Sequence, residues 1–155
     1  MSVVRTIPRK SRLSTLVDQA GGLSVGVAKR RAQANLDVMK PKALEIIGAR
    51  VEGLANLIEP VTPEDALPAR IDAYRLSSEI IDAAGMFEMR DLCAAAKGLC
   101  DILDAVGPDD RLDWRIVTVH AQSMRLLMTL ADDAQAERAA VTDHLRRVLS
   151  HSLGV

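Results

Sequence analysis

The residues of this chain best suited to metal, nucleophilic or phosphoryl chemistry are three histidines and two cysteines: His120, His144, His151, Cys93 and Cys100. A helix that grips zinc normally offers two histidines one turn apart. His144 and His151 stand seven residues apart, and no third ligand is spaced to help them, so the histidines read as surface residues and no metal is expected. Cys93 and Cys100 are also seven apart within one predicted helix. That puts about 10 Å between them along its axis, too far for a mutual disulfide. Both lie inside an apolar stripe, which predicts free core thiols in a reducing cytosol rather than nucleophiles. The chain has no Gly-x-Ser-x-Gly elbow and no cysteine with an obvious histidine partner, so no catalytic residue is expected.

Anion chemistry is the next possibility. Gly21-Gly22-x-x-x-Gly26 sets glycines near a basic helix start, but the Lys-Ser/Thr of a phosphate-binding loop is missing. No cofactor is expected. Residues 1–42 hold nine basic and two acidic residues, a charge of +7, and the rest of the chain carries −8. Such a split suits an acidic partner surface, a nucleic acid or a membrane, or simply a solvated tail lying near the chain's own acidic body. No aromatic residue interleaves the basic ones and the pI is about 6.3, so nucleic acid is not the expected partner. Nor is a membrane, since no run of 18 apolar residues occurs and the N-terminus lacks the apolar core of a signal peptide.

These side chains must be positioned by helices. The chain has 155 residues, the usual size of one domain, and its only aromatic residues are Trp114, Tyr74 and Phe87. A core of Leu, Ile, Val, Ala and Met suits close helix packing. Residues 1–22 read as a flexible basic arm with an optional helical turn over 13–20, and residues 23–155 as the helical domain. A long helix is predicted over 24–59, carrying Leu36, Met39, Ala43, Ile47, Leu54 and Ile58 at helical spacing, kinked or restarted at Pro41 and stopped by Pro60. A second begins at Thr62, with Pro63 at its first position and Asp65 closing a capping box. It buries Ala73, Leu76, Ser77, Ile80, Ala84 and Phe87. The third carries Met89, Leu92, Cys93, Ala96, Leu99, Cys100, Leu103 and Val106 and ends at Gly107-Pro108. The fourth is expected to start near Asp109 or Asp110 and to bury Leu112, Ile116, Val119, Ser123, Leu126 and Leu130. The fifth is expected from Asp132 or Asp133, burying Val141, Leu145, Val148 and Leu149. Short loops between amphipathic helices imply an all-α, antiparallel up-down four-helix bundle with an extra N-terminal helix or arm.

On the second helix and the turn after it, Ser78-Glu-Ile-Ile-Asp-Ala-Ala-Gly-Met-Phe-Glu-Met-Arg-Asp-Leu92 resembles the signature of histidine-containing phosphotransfer (HPt) domains. The family pattern is roughly His-x-Leu-Lys-Gly-Ser-Ala-x-x-Phe-Gly-Leu-x-x-Leu. Ile80, Ala83, Ala84, Phe87, Met89 and Leu92 fall on its apolar or small positions, and the resemblance covers about residues 70–106. Ser78 stands where the phosphorylated histidine would be, Ile81 replaces the lysine and Asp82 the glycine. A hydroxyl does not serve as a reversible phosphoryl carrier, and Asp82 repels phosphate. The resemblance therefore implies a pseudo-phosphotransfer protein without catalysis. Its docking surface would be Tyr74, Arg75, Ser78, Ile81, Asp82 and Gly85, with Ser78 at the pseudo-phosphoacceptor position. Its partner would be a response-regulator receiver domain or a histidine kinase, in the cytoplasm. The chain also resembles small accessory proteins of alphaproteobacterial chemotaxis clusters, the CheE type. Alternative readings are an active phosphorelay protein using His120, a helical chaperone or assembly factor for flagellar or secretion subunits, and a nucleic-acid binder through the arm. Monomer and homodimer both fit the stripes.

Overall fold

The computed structural model describes residues 24–107 and 110–154, and the arm over 1–22 lies outside them. The described residues form five helices and no strand: α1 Val25–Ala55, α2 Pro63–Gly85, α3 Arg90–Ala105, α4 Trp114–Thr129 and α5 Gln135–Leu153. No described helix is long and apolar enough to cross a membrane. By contacts the chain divides into two units, residues 1–38 and 39–155.

The second unit holds the core. Its central element is α3, which packs against α2, α4 and α5. The sequence explains why: small residues Ala95, Ala96 and Gly98 alternate with Leu92, Leu99, Ile102 and Leu103, all buried, so neighbouring helices approach closely on more than one side. Each large aliphatic side chain buried there contributes about 1.5–3 kcal/mol. The predicted core face of α2 is buried through Ala73, Leu76, Ser77, Ile80 and Ala84, with Phe87 half-buried in the following turn. Ala43, Ile47, Val51 and Leu54 of α1 complete that core.

Local chemistry sets the helix ends. Thr62 caps α2, its Oγ1 accepting from the Asp65 amide at 3.3 Å, while its hydroxyl donates to Asp65 Oδ2 at 2.7 Å. Pro63 occupies the first turn as expected. Helix α1 runs through Pro41 as one element and ends at Ala55, short of Pro60. Two expected starts move. Helix α4 begins at Trp114, because Asp113 is the residue whose carboxylate accepts the Arg115 amide, at 3.1 Å. Helix α5 begins at Gln135, after a turn in which Asp132 and Asp133 provide no cap.

The face of α4 also differs from expectation. Its buried residues are Trp114, Val117, His120, Ala121, Met124 and Leu127. The expected stripe, Leu112, Ile116, Val119, Ser123, Leu126 and Leu130, lies one residue round the helix and is half-buried except for the exposed Leu126. Two arginines lock helix ends. Arg70 Nη1 donates to the Val106 and Gly107 carbonyls at 2.9 and 3.2 Å, holding the C-terminus of α3 against α2. Arg138 Nη1 donates to the Leu127 and Leu130 carbonyls at 3.1 and 3.2 Å, and its Nε pairs with Asp91 at 2.8 Å. Unpaired C-terminal carbonyls need such donors.

Candidate partner-binding face

Residues 67, 71, 74, 78, 81 and 85 of α2 follow one another in steps of four and three, the spacing of a helix seam. The core takes the neighbouring face, so this seam lies at the edge of α2 toward α3. Leu67 and Ile71 are 54% and 56% exposed and Tyr74 39%. Ser78 is half-buried, and Gly85 is exposed with open space where a Cβ would stand. The serine that turns inward is Ser77, whose hydroxyl donates to the Ala73 carbonyl at 2.8 Å.

The six expected docking residues do not share one environment. Tyr74, Asp82 and Gly85 are open to solvent. Ile81 packs against the core as a half-buried side chain, and the Cys93 thiol lies 3.9 Å from its carbonyl oxygen. Arg75 is exposed but engaged along its own helix, with Nη2 on Asp72 at 3.1 Å and Nη1 on Glu79 at 2.9 Å. Glu79 in turn pairs with Arg50 of α1. Leu67 and Ile71 are not among the expected residues, because they precede the Ser78–Leu92 signature. The step pattern of the seam is the signal that finds them.

Across the seam stand α3 carboxylates. The charge of Asp104 is the main cause that holds the Tyr74 phenol above its ordinary pKa, followed by Cys100, with Asp101 adding to them. Asp101 carries an ion pair to Lys97, at 2.6 Å. Asp82 and Asp104 have no ion pair among the described residues. The face thus has an apolar centre, one phenol and an acidic border.

The thiols beside it are free, Cys93 half-buried and Cys100 buried. Burial pushes Cys100 up to about 11, with Asp104 and Asp101 adding to the shift, so it stays protonated near neutrality. Burial raises Cys93 as well.

His120 is not the surface histidine expected from the sequence. Its ring is fully buried. Nδ1 sits 2.8 Å from the Ile116 carbonyl, so it is the protonated nitrogen of a neutral ring. Nε2 is buried without a partner and faces Gly98 of α3, where an added methyl would stand 3.7 Å from it. Burial lowers the His120 pKa, against a smaller opposing effect of the Ile116 bond. Phosphorylation requires an accessible imidazole nitrogen, which this packing denies. His144 and His151 are exposed, and among the described residues no three His, Cys, Asp or Glu are grouped to hold a metal.

Comparison with family models, with curated proteins and with solved structures finds no match for this chain.

Proposed function

We propose that this chain is a non-catalytic interaction module of bacterial two-component or chemotaxis signalling, binding a receiver or kinase domain through the α2 seam and the α3 edge beside it. The observation that carries the reading is the open apolar centre of Leu67, Ile71 and Tyr74 on α2, followed along the seam by the half-buried Ser78. Buried aromatic and aliphatic anchors within a polar rim are what protein partners use for affinity. The packing of α3 against α2, α4 and α5 is compatible with a helical bundle. One backbone detail supports the register of the resemblance. Glu88 has a φ of 56°, and the family pattern places glycine at that position. A left-handed residue there is what the pattern's glycine would supply at no steric cost. Without an imidazole at Ser78, the face offers docking and no phosphoryl acceptor. The relay reading through His120 is weaker, because the ring is enclosed.

The experiment is titration of the purified chain with the receiver and kinase domains of its own organism, followed calorimetrically. Binding to at least one is expected, and Ile71→Asp and Tyr74→Asp should each weaken it about tenfold or more, equivalent to about 1.4 kcal/mol. No labelled phosphoryl group should appear on the chain. Absence of binding to all of them, or label transferred to the chain, would remove the proposal.

A further inference from the structure

Helix α1 carries one apolar stripe whose two halves have different fates. In its second half Ala43, Ile47 and Leu54 are buried in the core. On a helical wheel the same stripe continues backward through Met39, Leu36, Ala32, Ala28 and Val25. There it is open: Val25 is 85% and Met39 55% exposed, and Ala28 and Ala32 are exposed as well. About five turns of helix thus show a seam to solvent. The stripe is flanked by cations, Lys29 and Lys40 on one side and Arg31 and Lys42 on the other, and Asp37 is the one acidic residue between Ser24 and Lys42. A phosphate backbone would neutralise the cations and leave the stripe wet. An apolar groove with an acidic border satisfies both.

The chain itself carries such a groove, on α2. Its seam runs from Leu67 to Gly85; Glu64 and Asp82 border it on one side, where Arg75 is held by Asp72 and Glu79, and Asp104 of α3 borders it on the other, beside Asp101 with its Lys97 partner. The Val25–Lys42 half of α1 spans 18 residues and the α2 seam 19, each roughly 27 Å at the helical rise. Both use steps of three and four residues, the spacing that lets two helices interlock. We infer that the Val25–Lys42 half of α1 docks on the α2 seam of a second copy of this chain, reciprocally, to give a two-fold dimer. In such an isologous pairing each copy contributes one basic helix and one acidic groove. The inference does not depend on a signalling partner using the same seam. If one does, dimer formation competes with it.

Sedimentation of the full chain across a concentration series, at low and high salt, tests this. A monomer–dimer equilibrium that weakens several-fold as salt rises is expected, because the charges at the rim are screened. Lys29→Glu with Lys40→Glu should weaken the dimer about tenfold or more, and so should Asp82→Lys with Asp104→Lys. Mixing the two charge-reversed chains should restore association, since one acidic helix then meets one basic groove. That rescue is a result that mere misfolding does not produce. A chain that remains monomeric at about 100 μM overturns the inference. So does a dimer indifferent to both reversals. Receiver-domain binding by a strictly monomeric chain would sink the dimer and leave the signalling proposal standing.

Discussion

Taking the protein from about pH 8 to about pH 5 asks His120 to accept a proton inside the core. Its ordinary value is 6.5, and burial lowers it in the folded chain. Above the unfolded value both states hold a neutral ring and stability is complete. Below it the unfolded chain binds the proton and the folded chain resists, so stability falls as pH falls, until the folded value is passed. The slope contributed by one such group is at most about 1.4 kcal/mol per pH unit. The structure leaves little to offset it: Nδ1 already donates to the Ile116 carbonyl, and a proton on Nε2 would face Gly98 rather than an acceptor. Urea unfolding followed by fluorescence of Trp114, the single tryptophan and 5% exposed, measures this at each pH. His120→Leu should be flatter than wild type below about pH 6.5, with the exposed His144 and His151 unchanged in both proteins. Identical slopes for the two proteins, or stability that rises on acidification, would refute the reasoning.

Other perturbations have equally definite outcomes. Gly98→Ala should raise stability by roughly 0.5–1 kcal/mol in denaturant unfolding, because a methyl meets only ordinary contacts, 3.7 Å from His120 and 4.0 Å from Leu149, and alanine favours the helix. Arg138→Ala should cost about 1–3 kcal/mol, since it strips the carbonyls of Leu127 and Leu130 of a largely buried donor. Tyr74 is the only tyrosine, so its phenolate absorbance reports one site; Asp104→Asn should move that titration downward, toward the ordinary value. Glu88→Gly should stabilise the α2–α3 turn by a few tenths to about 1 kcal/mol, read from the same unfolding curves, as glycine adopts the left-handed backbone freely.

The sequence revealed the helical fold most clearly where one stripe meets one core. Helix α3 and the inner face of α2 carry the steadiest helical periodicity, and most of their residues are buried as read, with Phe87, Met89, Cys93 and Val106 half-buried at the ends and edge of the stripes. Helix α4 was read one residue out of phase because it is apolar on nearly half its circumference. Ile116, Val119 and Leu130 form a credible stripe, and only packing selects Trp114, His120 and Met124 beside it. A histidine has no hydropathic signal for burial, so His120 passed for a surface residue. Acidic residues before α4 and α5 offered several equivalent caps, and the choice of Asp113 depended on a hydrogen bond to Arg115. In the candidate site, Tyr74 and Asp82 were legible as exposed positions. The inward lean of Ile81 and the pinning of Arg75 by Asp72 and Glu79 depend on neighbours that a helical wheel does not include.

The proposed function depends most on the α2 seam being a docking face. Amide chemical-shift mapping of the isotope-labelled chain, titrated with a receiver domain that it binds, addresses this residue by residue. Perturbations should cluster on Leu67, Ile71, Tyr74, Ser78 and Asp82 and on the facing turn around Asp101 and Asp104. Perturbations confined to α4 and α5, with these positions silent at saturation, would contradict it.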